Sequence, residues 1–345
     1  MTAQTRRLGL DIAGLLAFGY DLRLQNDDEN RFMLTVLDGG TFASSVFLHY
    51  PTAQKARFGY LMMLPLLKLR EKYLNLIHKM ITTRMAKTKD ARHDLYSFVA
   101  DVLDAGSGGL RQTGDTGKTA MSATFFYLSR NPEAYQKLAD EIRSNFESGS
   151  EIRGAALASC HYLRACIDEA LRMSPPAPGI LWRELAPEES GDQPFIVDGH
   201  VIPDGTLVGV NTYSLHHNEE YFPNSFTYSP ERWLDPSTTP EAKKLMRDAF
   251  APFSTGPRGC AGRAMAYLQI NLVVAKTLWY FDFEAAPGKV GEIGAGKPEM
   301  GTGRERPGEF QLEDIFGSSH DGPYLTFKPR GNIWKEIGED NMEQK

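Results

Sequence analysis

A glycine-rich stretch that carries one cysteine, residues 253–262, runs directly into an apolar segment that extends to about Tyr280. Apolar residues over that length predict a long helix, and the glycines before it predict a tight backbone turn. A cysteine at the start of a helix lies near unpaired backbone N–H groups, which stabilise a thiolate. This junction constrains the chain to a loop–helix unit that presents Cys260 at one end.

The order of the predicted elements favours the α+β class, with a mainly α composition. Helical periodicity precedes the proline pair at 175–176, and short strand-like pieces follow it. Because strands and helices do not alternate, a doubly wound sheet is disfavoured. We expect a single domain over residues 1–345, with a mostly helical part at 1–173 and a mixed part with small sheets at 174–345. Predicted helices cover residues 61–87, 92–103, 119–129, 132–146, 161–173 and 261–280.

Local signals predict several element boundaries in the chain. Asn131 is expected to cap a helix whose first residue is Pro132. A hairpin is predicted within residues 195–210, with its turn at 203–205. The segment at 218–249 contains several prolines, and we expect it to be irregular.

Composition excludes some classes of function. The chain has 345 residues and a formal net charge of −6, so no nucleic-acid partner is expected. Three cysteines are too few for a disulfide framework, and Cys160 and Cys166 are expected to be small buried residues in a reducing compartment. The sequence has no apolar run long enough to cross a bilayer and no apolar leader after Met1, so we expect a cytoplasmic chain without a membrane anchor.

The stretch at 253–262 fits the pattern F-x-x-G-x-R-x-C-x-G, and each fixed position has a physical reason if the cysteine binds iron. Cys260 supplies the thiolate. Gly256 and Gly262 let the backbone turn tightly and a flat macrocycle approach. Arg258 offers a planar cation to a heme propionate, and Phe253 can pack against the sulfur and exclude water. The alternative is a buried structural cysteine beside a glycine-rich turn.

Three further segments extend this pattern in the same order, and together they resemble the cytochrome P450 superfamily, in particular its fungal heme-thiolate monooxygenases. Residues 169–172 match the E-x-x-R of a family helix, residues 230–233 resemble its P-E-R-F segment, and residues 321–330 resemble the closing stretch of fungal members. The resemblance covers about Leu8 to Lys335. It implies the cytochrome P450 fold, with residues just before the final turn lining the substrate pocket.

The resemblance also implies an ion network. Glu169 and Arg172 are three residues apart on a predicted helix, so their side chains share one face and can pair. Arg232 would join them, as the arginine of the P-E-R-F segment does in the family. The three residues would then form a buried triad that matters for assembly rather than for the reaction.

The family's oxygen-activation motif has its counterpart at residues 114–127. Asp115 and Thr116 would be the acid–alcohol pair that supplies protons during oxygen activation. Thr113 stands where the motif usually has glycine, and Gly117 replaces the second hydroxyl residue. The alternative is an ordinary polar helix start capped by Asp115 or Thr116.

The first third of the family's fold has no counterpart in this sequence, and a polar stretch at 106–112 stands where apolar helical turns are expected. We therefore expect an N-terminally truncated P450 fold with part of its central oxygen-site helix missing. Members of the family carry heme b and take electrons from NADPH through NADPH-cytochrome P450 reductase. For the intact family the resemblance implies a location at the cytosolic face of the endoplasmic reticulum membrane.

The resemblance predicts a monomeric monooxygenase that inserts one oxygen atom from O2 into a small lipophilic substrate, in fungal secondary or xenobiotic metabolism. Two alternatives stay open. The first alternative is a heme-binding remnant without turnover. The second is a family member that catalyses dehydration, isomerisation or carbon–carbon cleavage.

Two other patterns in the sequence are weaker. Residues 113–119 and 291–298 resemble phosphate-binding loops, but the first lacks the upstream glycine and the second has proline where Ser or Thr would hold magnesium. His216, His217 and His320 have no partner ligands at the spacings that metal sites use. We expect these histidines to be surface or core residues.

Overall fold

The part of the chain that the structure describes contains ten α-helices and four short strands, besides 3₁₀ helices and loops. A computed structural model describes residues 2–50, 67–86, 115–185 and 194–336. The α-helices are α1 Thr2–Phe18, α2 Phe32–His49, α3 Leu67–Met85, α4 Asp115–Arg130, α5 Pro132–Asn145, α6 Gly154–Ala158, α7 His161–Met173, α8 Thr212–His216, α9 Pro240–Ala249 and α10 Arg263–Tyr280. The strands are β1 Phe195–Val197, β2 His200–Ile202, β3 Phe281–Ala285 and β4 Leu325–Pro329.

Helix α4 lies at the centre of the main core. All residues from Met121 to Leu128 are buried, so the helix is enclosed around its whole circumference. It packs against α1, α7 and α10. The large core cluster draws its buried side chains mainly from α4, α5, α7 and α10. The first residues of α4 are therefore held by the same elements that carry the E-x-x-R pair and the long helix after Cys260.

Most of the predicted helices are confirmed. Helix α7 has the predicted bounds, and α5 ends one residue before the predicted Phe146. Asn131 is the cap residue of α5, but its side chain makes no capping bond and instead donates from Nδ2 to the carbonyl of Tyr127 at 2.7 Å. Helix α4 begins at Asp115, ahead of the predicted start at 119. The predicted helix at 92–103 and the polar stretch at 106–112 lie outside the described residues.

The hairpin prediction is correct for the strand pieces at 196–197 and 201–202, and wrong for the turn at 203–205 and the strand piece at 207–210. β1 and β2 pair antiparallel, with Ile196 opposite Val201. The connection is Asp198-Gly199, at φ +48° and +77°, which is the backbone that a two-residue hairpin with right-handed twist requires. Residues 203–205 form a separate turn after β2, and the following segment makes only an isolated bridge, between Arg183 and Val208.

The segment at 218–249 contains more regular structure than predicted. Pro230–Trp233 forms a 3₁₀ helix, and α9 occupies its last ten residues. Thr239 caps α9, because its hydroxyl accepts a hydrogen bond from the backbone N–H of Ala242 at 3.2 Å, and Pro240 takes the first helical position.

The observed architecture is α+β and mainly α, as predicted. The strands of the described part form two separate antiparallel pairs, β1 with β2 and β3 with β4. All four strands of the described part lie after Met173. Among the helices that the structure describes, none combines the length and apolar character needed to span a bilayer.

Candidate heme-thiolate site

The loop that carries Cys260 is shaped by backbone hydrogen bonds before α10 begins. The N–H of Cys260 donates to the carbonyl of Phe253 at 2.8 Å, and the N–H of Gly259 donates to that of Gly256 at 2.9 Å. Ser254 and Gly256 have φ values of +58° and +66°. At Gly256 this left-handed conformation favours glycine, so the pattern's first glycine is explained by the turn it makes.

Helix α10 starts slightly later than predicted. Its first residue is Arg263 and its cap residue is Gly262, whereas the sequence predicted a start near Ala261. Cys260 therefore precedes the first helical turn and belongs to the loop. The backbone N–H groups of that first turn lie next along the chain.

Cys260 is the exposed cysteine of the three in the chain. Cys160 and Cys166 are buried, as predicted, and Cys260 is exposed. Burial raises the pKa of Cys160 to about 11 and raises that of Cys166 further, which keeps both as thiols. Because these two side chains are enclosed by the core, Cys260 is the thiol that can meet a ligand.

The loop around Cys260 is open at Gly256. A Cβ added at Gly256 would meet no heavy atom within 4 Å. Arg258 and Cys260 are both exposed beside it. An accessible thiol, an open surface at Gly256 and an exposed guanidinium are the features that a flat, anionic macrocycle with a central metal requires. The residues present therefore fit a heme group.

Phe253 takes part in this loop through its backbone and its ring. Its carbonyl accepts the hydrogen bond from Cys260, and its ring centroid lies 5.1 Å from that of Tyr267 on α10. The sequence predicted only that Phe253 would cover the sulfur. Tyr267 was missed because nothing in the pattern marks the residue that supports the phenylalanine.

The structure brings Glu169, Arg172 and Arg232 together. Arg172 donates to Glu169 from Nε at 3.0 Å and from Nη2 at 2.9 Å, and Arg232 Nε donates to the same carboxylate at 2.9 Å. Trp233 Nε1 and the backbone N–H of Ser229 add two more bonds, at 3.0 and 3.1 Å. The last two donors were not predicted from the sequence.

His216 links this ion network to the segment before the Cys260 loop. Arg172 Nη1 donates to the carbonyl of His216 at 2.8 Å, and His216 Nδ1 lies 3.1 Å from the carbonyl of Arg172. His216 Nε2 accepts from the N–H of Ala251 at 3.0 Å. Burial lowers the pKa of His216 to about 3, so the ring is neutral at physiological pH. His216 is therefore a core residue with partners on both nitrogens.

The two residues predicted to relay protons lie in the first turn of α4. Asp115 is the first residue of that helix, and its side chain lies outside the described part. Thr116 is partly buried, and its Cγ2 is 3.9 Å from where a Cβ on Gly317 would stand. Further along the helix, Thr119 Oγ1 donates to the carbonyl of Ser318 at 3.3 Å. The start of α4 therefore faces the segment just before the final turn of the chain.

Gln269 of α10 is a buried polar residue near this helix start that the sequence did not indicate. Its Oε1 is 3.7 Å from the Cβ position of Gly117, and its side chain is 7% exposed. Among the described residues, its Nε2 has no hydrogen-bond partner. A buried amide donor near Gly117 is the kind of group that holds a water molecule.

Comparisons with known proteins match the chain to a known family. The family model described as Cytochrome P450 matches residues 2–306. A cytochrome P450 monooxygenase of Gibberella zeae is 34% identical over 341 residues, which is 94% of this chain and 77% of that protein.

Two further relatives have similar sequence identity to this chain. Cytochrome P450 monooxygenase AKT7 of Alternaria alternata is 33% identical over 92% of this chain and 64% of its own length. Cytochrome P450 monooxygenase apf8 of Gibberella fujikuroi is 34% identical over 96% of this chain and 91% of its own length. The chain thus spans between 64% and 91% of these relatives. With the family match over most of its length and these relatives, the chain belongs to the cytochrome P450 family.

Proposed function

We propose that this chain is a heme-thiolate monooxygenase in which the Cys260 sulfur would hold the iron of heme b. The observation that carries the proposal is the exposed Cys260 thiol on a glycine-bent loop directly before α10. The reaction is the insertion of one oxygen atom from O2 into a small lipophilic substrate, in fungal secondary metabolism. The names of the three relatives, each a monooxygenase from a fungus, support this class of reaction.

Each residue of the Cys260 loop has a part in holding the cofactor. Heme, when bound, supplies the oxygen chemistry, and the protein supplies orientation and a dry environment. Cys260 would provide an electron-rich sulfur, and Arg258 would pair with a propionate through its planar fork. Gly256 and Gly262 keep side chains away from the macrocycle. Phe253 fixes the loop because its carbonyl accepts the Cys260 N–H.

Asp115 and Thr116, in the first turn of α4, would deliver the protons. Thr116 presents a hydroxyl there, and Asp115 is the acid beside it in sequence. A carboxylic acid and an alcohol in series move a proton from solvent to a reacting oxygen. Gln269 Nε2, buried near Gly117, would hold a water in the same chain of donors.

The remaining parts of the proposal concern partners. Electrons would come from NADPH through NADPH-cytochrome P450 reductase, which serves the intact family at the cytosolic face of the endoplasmic reticulum membrane, whereas this chain would be cytoplasmic. The protein would act as a monomer and as a single, partial P450 domain over residues 1–345. Membership of the family supports the choice of electron donor.

The experiment is the carbon monoxide difference spectrum of the reduced, heme-loaded protein. The wild type and the variants Cys160→Ser and Cys166→Ser should give the thiolate-type Soret band, and Cys260→Ser should lose it. Loss of the band in either buried-cysteine variant, or its retention in Cys260→Ser, would move the ligand elsewhere. Addition of NADPH and reductase then separates a working oxygenase, which consumes oxygen, from a heme-binding remnant, which does not.

A further inference from the structure

A tyrosine, an aspartate and an arginine meet behind the Cys260 loop. Tyr267 of α10 donates its hydroxyl to Asp168 Oδ1 at 2.7 Å. Arg164, one turn before Asp168 on α7, donates from Nε to both carboxylate oxygens at 3.0 and 2.9 Å. The Arg164 guanidinium also lies 3.5 Å from the centroid of the Tyr267 ring. Tyr267 is thus fixed to α7 through both its hydroxyl and its ring.

The same tyrosine contacts the loop. Its ring centroid is 5.1 Å from that of Phe253, and Phe253 accepts the hydrogen bond from the Cys260 N–H at 2.8 Å. Tyr267 is 6% exposed, so its ring has little room to move. A continuous set of contacts therefore runs from Asp168 through Tyr267 and Phe253 to the backbone of Cys260.

We propose that Tyr267 and Asp168 are positioning residues for the Cys260 thiolate, an inference that rests on the proposed function. The hydrogen bond to Asp168 holds the Tyr267 ring, the ring holds Phe253, and the Phe253 carbonyl holds the backbone that aims the sulfur. Hydrogen bonds to ionised groups are short and directional, which suits this role. Groups behind a metal ligand commonly set its orientation and its donor strength.

A second cluster of a tyrosine, an aspartate and an arginine, elsewhere in the core, serves as a control. Tyr135 of α5 donates to Asp282 Oδ1 at 3.2 Å, and Arg143 Nη2 donates to the same oxygen at 2.5 Å. The Tyr135 ring packs edge-on against Phe283, at 5.0 Å between centroids. This unit joins α5 to β3 and belongs to the same core cluster, but its aromatic partner lies in a strand rather than in the loop.

The first test needs no heme. Hydrogen–deuterium exchange of the heme-free full chain, resolved to the Cys260 amide, compares the wild type with Tyr267→Phe, Asp168→Asn and Tyr135→Phe. We expect exchange at Cys260 to be several-fold faster in Tyr267→Phe and in Asp168→Asn, and unchanged in Tyr135→Phe. The double variant should be no faster than the faster of the two single variants, because both changes act through the contact between Tyr267 and residue 168. Unchanged exchange in both single variants, or equal acceleration in Tyr135→Phe, would overturn the proposal.

The second test uses the heme-loaded chain. In Tyr267→Phe and Asp168→Asn, the fraction of the reduced carbon monoxide complex with a thiol-type Soret band should rise several-fold over wild type, while Tyr135→Phe matches wild type. If Tyr267→Phe and Asp168→Asn both gave the same fraction of the thiol-type band as the wild type, the positioning role would be contradicted. If the wild type itself shows no thiolate band, the proposed function fails, and the exchange measurement still decides whether Tyr267 and Asp168 hold the loop.

Discussion

Glu169 and Arg172 form a two-point ion pair, at 2.9 and 3.0 Å, in which both side chains have 0% of their surface exposed. Removing two charges from water is costly, and their attraction offsets that cost only when every remaining polar atom is bonded. Arg232 and Trp233 donate further hydrogen bonds to the Glu169 carboxylate, and the His216 carbonyl accepts one from the Arg172 guanidinium. The network therefore ties α7 to the 3₁₀ helix Pro230–Trp233 and to α8.

Removal of the Glu169 charge should lower the free energy of unfolding by about 3–5 kcal/mol, because two arginines would lose their shared partner. The variant is Glu169→Gln, and the measurement is urea unfolding of the heme-free chain. The matched control is Lys244→Ala, which breaks the exposed pair of Lys244 with Asp248. That pair should be worth no more than about 0.5 kcal/mol. Equal effects from the two variants would contradict a structural role for the buried network.

The spacing of Glu169 and Arg172 was enough to predict their contact, since residues three apart on a helix share a face. Arg232 lies far along the chain, and no periodicity relates it to that helix. Its place was predicted from family resemblance alone. Trp233 and Ser229 bond the same carboxylate, yet neither residue type signals a buried acid. Long-range partners of this kind depend on tertiary packing.

Two local errors have plain physical causes. The hairpin turn was predicted at 203–205, although Asp198-Gly199 is the stronger signal, because both of its residues accept positive φ. Helix α9 was missed because prolines around it suggested irregular structure, whereas Pro240 stands at the first helical position, where no N–H is needed. In each case the signal was present in the sequence and a nearby proline outweighed it.

If Thr116 relays protons, then Thr116→Ala should uncouple oxygen consumption from product formation. Without the hydroxyl, reduced oxygen should leave as peroxide, and we expect peroxide released per NADPH consumed to rise several-fold. Thr124→Ala is the control on the same helix, since the Thr124 hydroxyl bonds only to the Ala120 carbonyl at 2.8 Å in the described contacts. An unchanged peroxide yield in Thr116→Ala would place the relay elsewhere.

The buried, neutral His216 should make the protein less stable in acid. Burial lowers its pKa to about 3, whereas an exposed histidine titrates near 6.5. Between those values the unfolded chain binds a proton that the folded chain does not, so the free energy of unfolding falls as pH falls. One such group contributes a slope of at most about 1.4 kcal/mol per pH unit.

Urea unfolding between pH 7 and pH 4 tests this prediction. His216→Gln should lower the overall stability and reduce the slope with pH, because the titrating ring is gone. The neighbouring His217, whose pKa burial lowers to about 4, should retain its own share of the slope in His216→Gln. A slope that is the same with and without His216 would contradict its neutral state.

Glycines at two positions should respond to alanine in opposite directions. Gly40 lies inside α2, and a Cβ there would meet no heavy atom within 4 Å. Gly40→Ala should therefore raise the free energy of unfolding by about 0.5–1 kcal/mol, because alanine favours the helix.

Gly291 follows the 3₁₀ helix Gly288–Val290 with a φ of −70°, which any residue can adopt. Its added Cβ would stand 1.8 Å from the carbonyl oxygen of Ala286, a backbone atom that cannot turn away as a side chain does. Gly291→Ala should therefore lower the free energy of unfolding by about 1–3 kcal/mol. Both variants are measured by urea unfolding of the heme-free chain. If Gly291→Ala were neutral, the segment after β3 would have to shift without loss, and the tight turn at Ala286 would not be what selects glycine there.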